Sequence, residues 1–114
     1  MTQYTAKQED EWQAFQTKLA TVTHKELFGL CREYIWLSAY ASNNPKSNYH
    51  RMCDATYDRC QSLGVPVLYS YAHKVVSGSE AGSNEFLSSS VQFNEAGEVQ
   101  NLDELAEKIN ESEI

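Results

Sequence analysis

Apolar residues recur at helical spacing through the first two thirds of the chain. Between Thr5 and Val22, Trp12, Phe15, Leu19 and Val22 fall three, four and three positions apart, which predicts one stripe of an amphipathic helix. Thr23 then opens the run Thr-His-Lys-Glu. This is the pattern of a capping box, in which the Thr23 hydroxyl accepts from the Glu26 amide and Glu26 reaches back. A second helix is therefore expected from His24 to about Ser42. It is the most apolar segment, with Arg32 and Glu33 the only charges between Leu27 and Ala41. Leu27, Leu30, Cys31, Tyr34, Ile35, Leu37 and Ser38 fill one broad side, and Phe28, Ala39, Trp36 and Tyr40 extend it nearly all round. Such a helix lies at the centre of a fold or is covered by a partner as well as by its own chain.

Asn44 precedes Pro45, and a residue before proline is pushed out of the α region, so the second helix should stop near Ser42. Asn44 or Ser47 can cap a third helix, with Pro45 tolerated at a first helical position. On it, Tyr49, Met52, Cys53, Thr56, Cys60 and Leu63 share one side, while His50, Arg51, Asp54, Asp58, Gln61 and Ser62 share the other. Gly64 ends this helix and Pro66 starts a fourth, whose core face is Leu68, Tyr71, Ala72 and Val75.

After the fourth helix the pattern changes. Ser77 to Asn84 reads as a flexible linker by composition. The two runs Glu85–Phe93 and Glu98–Asn101 flank Asn-Glu-Ala-Gly, which suggests a hairpin with Gly97 in its turn. Asn101 then caps a last helix, with Glu104 three on and Leu102, Leu105, Ala106 and Ile109 as its apolar side. The expected fold class is mainly α, formally α+β: a four-helix bundle-like body, then a small β-hairpin and a C-terminal helix. The expected organisation is a helical body over 1–78 and an acidic hairpin-helix segment over 79–114, within a single domain.

Charge divides along the same line. The chain has 114 residues and a net charge of −7. Residues 1–78 carry eight basic and seven acidic side chains, whereas residues 79–114 carry one basic and nine acidic. An acidic surface disfavours direct nucleic-acid binding, which requires neutralisation of phosphates by cations. Met1 to Asp10 has no apolar run of a signal peptide, and no stretch approaches the roughly 20 apolar residues that span a bilayer. The expectation is a cytoplasmic protein that does not enter the membrane. Its three cysteines are expected to stay reduced.

Several constellations carry possible chemistry. His50, Cys53, Cys60 and His73 are acceptable zinc ligand types, but their spacing fits no closed-site pattern, and the cysteines point into the predicted core. His50 and Cys53 are close enough on a helix to meet as base and thiol, yet a core-facing thiol stays inert. Asp54 and Asp58, with Arg51 three before Asp54, read as a solvated face with an intrahelical ion pair. No phosphate-binding glycine loop, nucleophile elbow or zinc-protease motif is present. Neither a metal nor a cofactor is expected, and an enzyme is disfavoured.

Six of the seven tyrosines, all but Tyr4, fall in the second to fourth helices, a type of residue common in interface anchors. The expected function is therefore non-enzymatic protein binding, as an inhibitor or regulator of a partner with a basic, nucleic-acid-binding surface. The expected contact residues are Trp36, Tyr40, Tyr57 and Tyr69, with Glu95, Glu98, Asp103, Glu104 and Glu107. Helix 24–42 is a candidate homodimer face. The competing expectation is a small enzyme or ligand binder with a polar site at Asn43, Asn44, Lys46, His50 and Asp54.

Overall fold

A computed structural model describes residues 4–40, 48–80 and 85–112. Five helices pack against one another: α1 (Ala6–Leu19), α2 (His24–Tyr40), α3 (Tyr49–Ser62), α4 (Pro66–Glu80) and α5 (Leu102–Ser112). α2 is the central element and packs most heavily on α3 and α4, while α1 lies on α3 and α5 lies on α4. Among the described residues, no helix is long and apolar enough to cross a membrane.

Each helix begins or ends for a local reason. Thr5 accepts from the Gln8 amide at 3.1 Å while Gln8 Oε1 accepts from the Thr5 amide at 2.8 Å, a capping box that starts α1. The predicted box of Thr23 and Glu26 starts α2 in the same way, with bonds of 2.9 and 3.1 Å. Gly64, at φ 74°, follows α3 in the left-handed conformation that terminates helices. The expected cap at Asn44 or Ser47, and the part played by Pro45, lie outside the described residues. α3 begins at Tyr49 after Asn48, whose side chain makes no capping bond and instead donates to the Gln8 carbonyl at 2.7 Å.

The core follows the predicted stripes except at Tyr49, which is exposed at the start of α3. Leu27, Cys31, Cys60, Leu68, Tyr71 and Ala72 have no exposed surface at all. Phe28 packs near Tyr71 and Phe93, with ring centroids 6.4 and 6.2 Å away. Truncating a leucine as buried as Leu27 or Leu68 to alanine costs about 2–5 kcal/mol, through lost burial and the cavity left behind.

The expected structure departs from the observed one in three places. First, no β-hairpin forms. Among the described residues the pairing is an isolated antiparallel bridge of Phe93 with Val99, and no strand is present. The apolar side chains explain this. Burial alternates over Val91–Asn94 and Gly97–Gln100, but Phe86 and Val91 are buried five positions apart, so the alternation does not reach back through Glu85–Ser90 and the pairing stays at one bridge. Ser88–Ser90 forms a single 3-10 turn instead, as expected where hydroxyls compete for backbone groups. Asn94 Oδ1 accepts from the Ala96 and Glu98 amides at 3.0 and 2.9 Å, and Gly97 takes φ 80°, so the expected turn at Gly97 does exist. Second, the segment read as a linker from Ser77 is helical as far as Glu80, carried by the burial of Val75 and Val76 one turn earlier. Residues 81–84 lie outside the described set. Third, Arg51 does not pair with Asp54. Its Nη2 lies 3.0 Å from Glu9 of α1, and its guanidinium stacks 3.7 Å from the Tyr4 ring centroid and 4.7 Å from that of Trp12.

The segment 85–101 is held to the helices by polar bonds as well as packing. The Lys25 amide donates to the Gly97 carbonyl at 2.9 Å and the Val99 amide to His24 Nδ1 at 3.1 Å. Tyr71 donates its hydroxyl to the Leu87 carbonyl at 2.9 Å. Asn101 Nδ2 donates to the Ser90 carbonyl at 2.8 Å, and its Oδ1 accepts from the Gln92 amide at 2.9 Å.

Candidate functional site

The aromatic residues expected at an interface fall into two pairs. Trp36 and Tyr40 lie one turn apart on the outer side of α2, 48% and 44% exposed, with ring centroids 5.9 Å apart. Tyr57 of α3 is 45% exposed and meets Tyr69 of α4 edge to face, 5.1 Å between centroids. Tyr69 is only half-exposed. Burial, and then a hydrogen bond with Cys53 at 3.3 Å, raise its phenol above the ordinary range, so it belongs as much to the packing as to the surface.

The acidic residues lie elsewhere. Glu95 and Glu98 are exposed in the turn around Gly97, which is fixed to the start of α2. Trp36 is eleven residues further along that helix, roughly 17 Å by the helical rise, so the turn and the Trp36–Tyr40 pair occupy separate places. On α5, Asp103, Glu104, Glu107 and Glu111 are exposed and fall within about 100° of one another, opposite the buried Leu105. Lys108, the one basic residue after residue 78, turns the other way and lies 5.6 Å from the Phe86 ring centroid. The nine expected contact residues therefore fall into an acidic face, an acidic turn and two aromatic pairs, with the turn apart from Trp36 and Tyr40.

In the alternative polar site, Asn43, Asn44 and Lys46 lie outside the described residues. His50 and Asp54 are exposed on α3. His73 is exposed on α4, where its Nδ1 lies 3.4 Å from Ser77 Oγ. Cys53 and Cys60 are buried, so these histidines and cysteines are not gathered into a site. The thiols associate with other groups. Cys31 and Cys60, from α2 and α3, lie Sγ to Sγ at 3.6 Å with no exposed surface. Their shared hydrogen bond, and then burial, raise the Cys31 thiol above its ordinary value.

Sequence reading overlooked a cleft on the flank of α2. Lys25, Phe28 and Arg32 follow one another at three and four positions and so share a face. Opposite them the segment after α4 supplies Ser88, Ser89, Val91 and Phe93, and the two walls enclose an open space of about 480 Å³. Arg32 Nη1 donates to Ser88 Oγ at 3.0 Å, and its guanidinium lies 5.2 Å from the Phe28 ring centroid. Its Nε is shielded from solvent and has no hydrogen-bond partner. The only sequence signal is Lys25 and Arg32 two turns apart on one face of α2, each followed by a glutamate on another face. The wall that turns them into a cleft arrives fifty-six residues later.

Compared with protein-family models, with curated proteins and with solved structures, the chain matches none.

Proposed function

We propose that the chain is a non-enzymatic protein-binding module that meets a partner with a basic surface and so inhibits or regulates it. The observation that carries this reading is the outer face of α5. Asp103, Glu104, Glu107 and Glu111 project from one side of a helix whose only lysine is turned onto Phe86. None of the four forms an ion pair with another described residue. Four carboxylates held within about 100° on a packed helix make a fixed negative surface, which steers a cationic partner and loses that attraction in salt. The exposed Trp36–Tyr40 pair supports a second version, a homodimer through the outer face of α2, because rigid aromatic area is what such contacts use.

The test is parallel capture from a lysate of the source cells. One bait is the native chain; the other carries Asp103→Asn, Glu104→Gln, Glu107→Gln and Glu111→Gln. A partner retained by the native chain at low salt, released at high salt and missed by the variant supports the reading. A partner retained equally by both baits removes the role given to α5. Sedimentation of the native chain and of Trp36→Ala decides the second version: a dimer lost in the variant supports it, and a monomer in both ends it.

A further inference from the structure

We infer that the cleft between α2 and the 85–93 segment is a binding site for a small phosphate monoester carried on an apolar, preferably aromatic, group. The inference stands apart from the acidic face, since it concerns different residues and the opposite charge.

The lining has a polar end and an apolar body. At the polar end, the Arg32 guanidinium is oriented by Ser88 Oγ at 3.0 Å and by the Phe28 ring beneath it. Ser88 accepts that bond, so its own hydroxyl hydrogen is still available to donate. Ser89 adds a second hydroxyl to the same wall. A guanidinium has five N–H donors in a fixed fork. Here one of them is engaged and Nε is closed to solvent, so the three remaining Nη hydrogens are the donors left for a ligand. A planar donor fork flanked by two hydroxyls matches a group with three terminal oxygens better than a carboxylate with two.

The rest of the lining is Phe28, Val91 and Phe93, with Lys25 two turns before Arg32 on the same helix. That separation is roughly 10 Å along the axis, enough for an aromatic ring to lie between the two cations. Lys25 is exposed and its ammonium makes no hydrogen bond or ion pair with another described residue, so it is available to a ligand. The lining contains no carboxylate. In a chain of net charge −7 this is the feature that supports an anion site, because a carboxylate in the lining would offset one of the two cations and repel the ligand.

The experiment is a titration of the full chain with phenyl phosphate, followed by amide chemical shifts and by isothermal calorimetry. Inorganic phosphate, benzoate and phenol are the comparison ligands. Saturable shifts are expected at Arg32, Ser88, Ser89 and Phe93, with inorganic phosphate and benzoate weaker and phenol silent. Arg32→Gln should weaken phenyl phosphate by about tenfold or more, since a charge-assisted pair is lost. Arg32 also anchors Ser88, so Lys25→Glu serves as the second variant. Its side chain holds nothing in place, and it should weaken binding several-fold while the melting temperature stays unchanged. No saturable shift with phenyl phosphate, or equal affinity in both variants, overturns the site. Benzoate binding as tightly as phenyl phosphate overturns the phosphate assignment, and inorganic phosphate doing so overturns the apolar half. Phenol binding as tightly overturns the anion altogether.

Discussion

Gly97 occupies a position that no other residue fills without strain. Its φ is 80°, and a Cβ built there would lie 2.8 Å from Thr23 Cβ and 2.9 Å from Thr23 Oγ1. Gly64 has a similar φ of 74° but faces open space. The left-handed conformation costs an L-residue about 1–2 kcal/mol, and at residue 97 the overlap with Thr23 adds to it. Gly97→Ala should therefore destabilise clearly more than Gly64→Ala in urea unfolding; equal losses would show that Thr23 yields freely. The three buried thiols give a second test at this scale. With Cys31 and Cys60 inaccessible and the Cys31 thiol raised, an aromatic disulfide reagent should react slowly with the native chain. In denaturant it should titrate all three cysteines at once. Fast reaction of the native chain would mean that α2 and α3 separate readily.

The helices themselves were largely legible, because period and capping are local. The Thr23–Glu26 box, the Gly64 stop and the stripes of α2, α3 and α4 are written within a few residues of where they act. What was not legible depended on distant partners. Arg51 stands three residues from Asp54, yet it crosses to Tyr4, Trp12 and Glu9, which no spacing on α3 reveals. Likewise the cleft needs Ser88 to reach Arg32. The hairpin fails for a different reason: the turn residues are local, but burial alternates only close to the turn, and Ser88–Ser90 coils into a 3-10 turn where the first arm would have continued. Arg51→Ala should loosen α1, at a cost of about 1–2 kcal/mol, with a change in Trp12 fluorescence. Arg51→Lys should recover only part, since an ammonium cannot stack and fork in the same way. A pH test belongs to α2. Hydrogen bonds from Thr23, backbone first, hold the Glu26 carboxyl below its ordinary value. A lowered folded-state pKa contributes stability above the unfolded value and loses it as the pH falls through the folded one. The melting gap between the native chain and Glu26→Ala should thus be full at neutral pH and shrink as the pH falls below about 4. A gap that is constant with pH would assign the effect to the helix propensity of residue 26 alone.

At the scale of the molecule, the segment after α4 covers apolar surface that the first four helices leave open. Phe86, Val91 and Leu105 belong to the same core cluster as Phe28 and Tyr71. A chain ending at residue 84 should therefore lose its cooperative thermal transition. A sharp transition in that fragment would show that the first four helices stand alone. The bonds from Lys25 to Gly97 and from His24 to Val99 have a further consequence in time. They join groups 72 and 75 positions apart. Closing so long a loop carries an entropic cost that helix formation does not, so these contacts come late. During synthesis the ring faces of Phe28 and Tyr71 are made well before the segment that shields them. Until residues 86 to 105 have left the ribosome, the nascent chain presents an adhesive aromatic surface, and it is in that interval that a holding chaperone has something to grip.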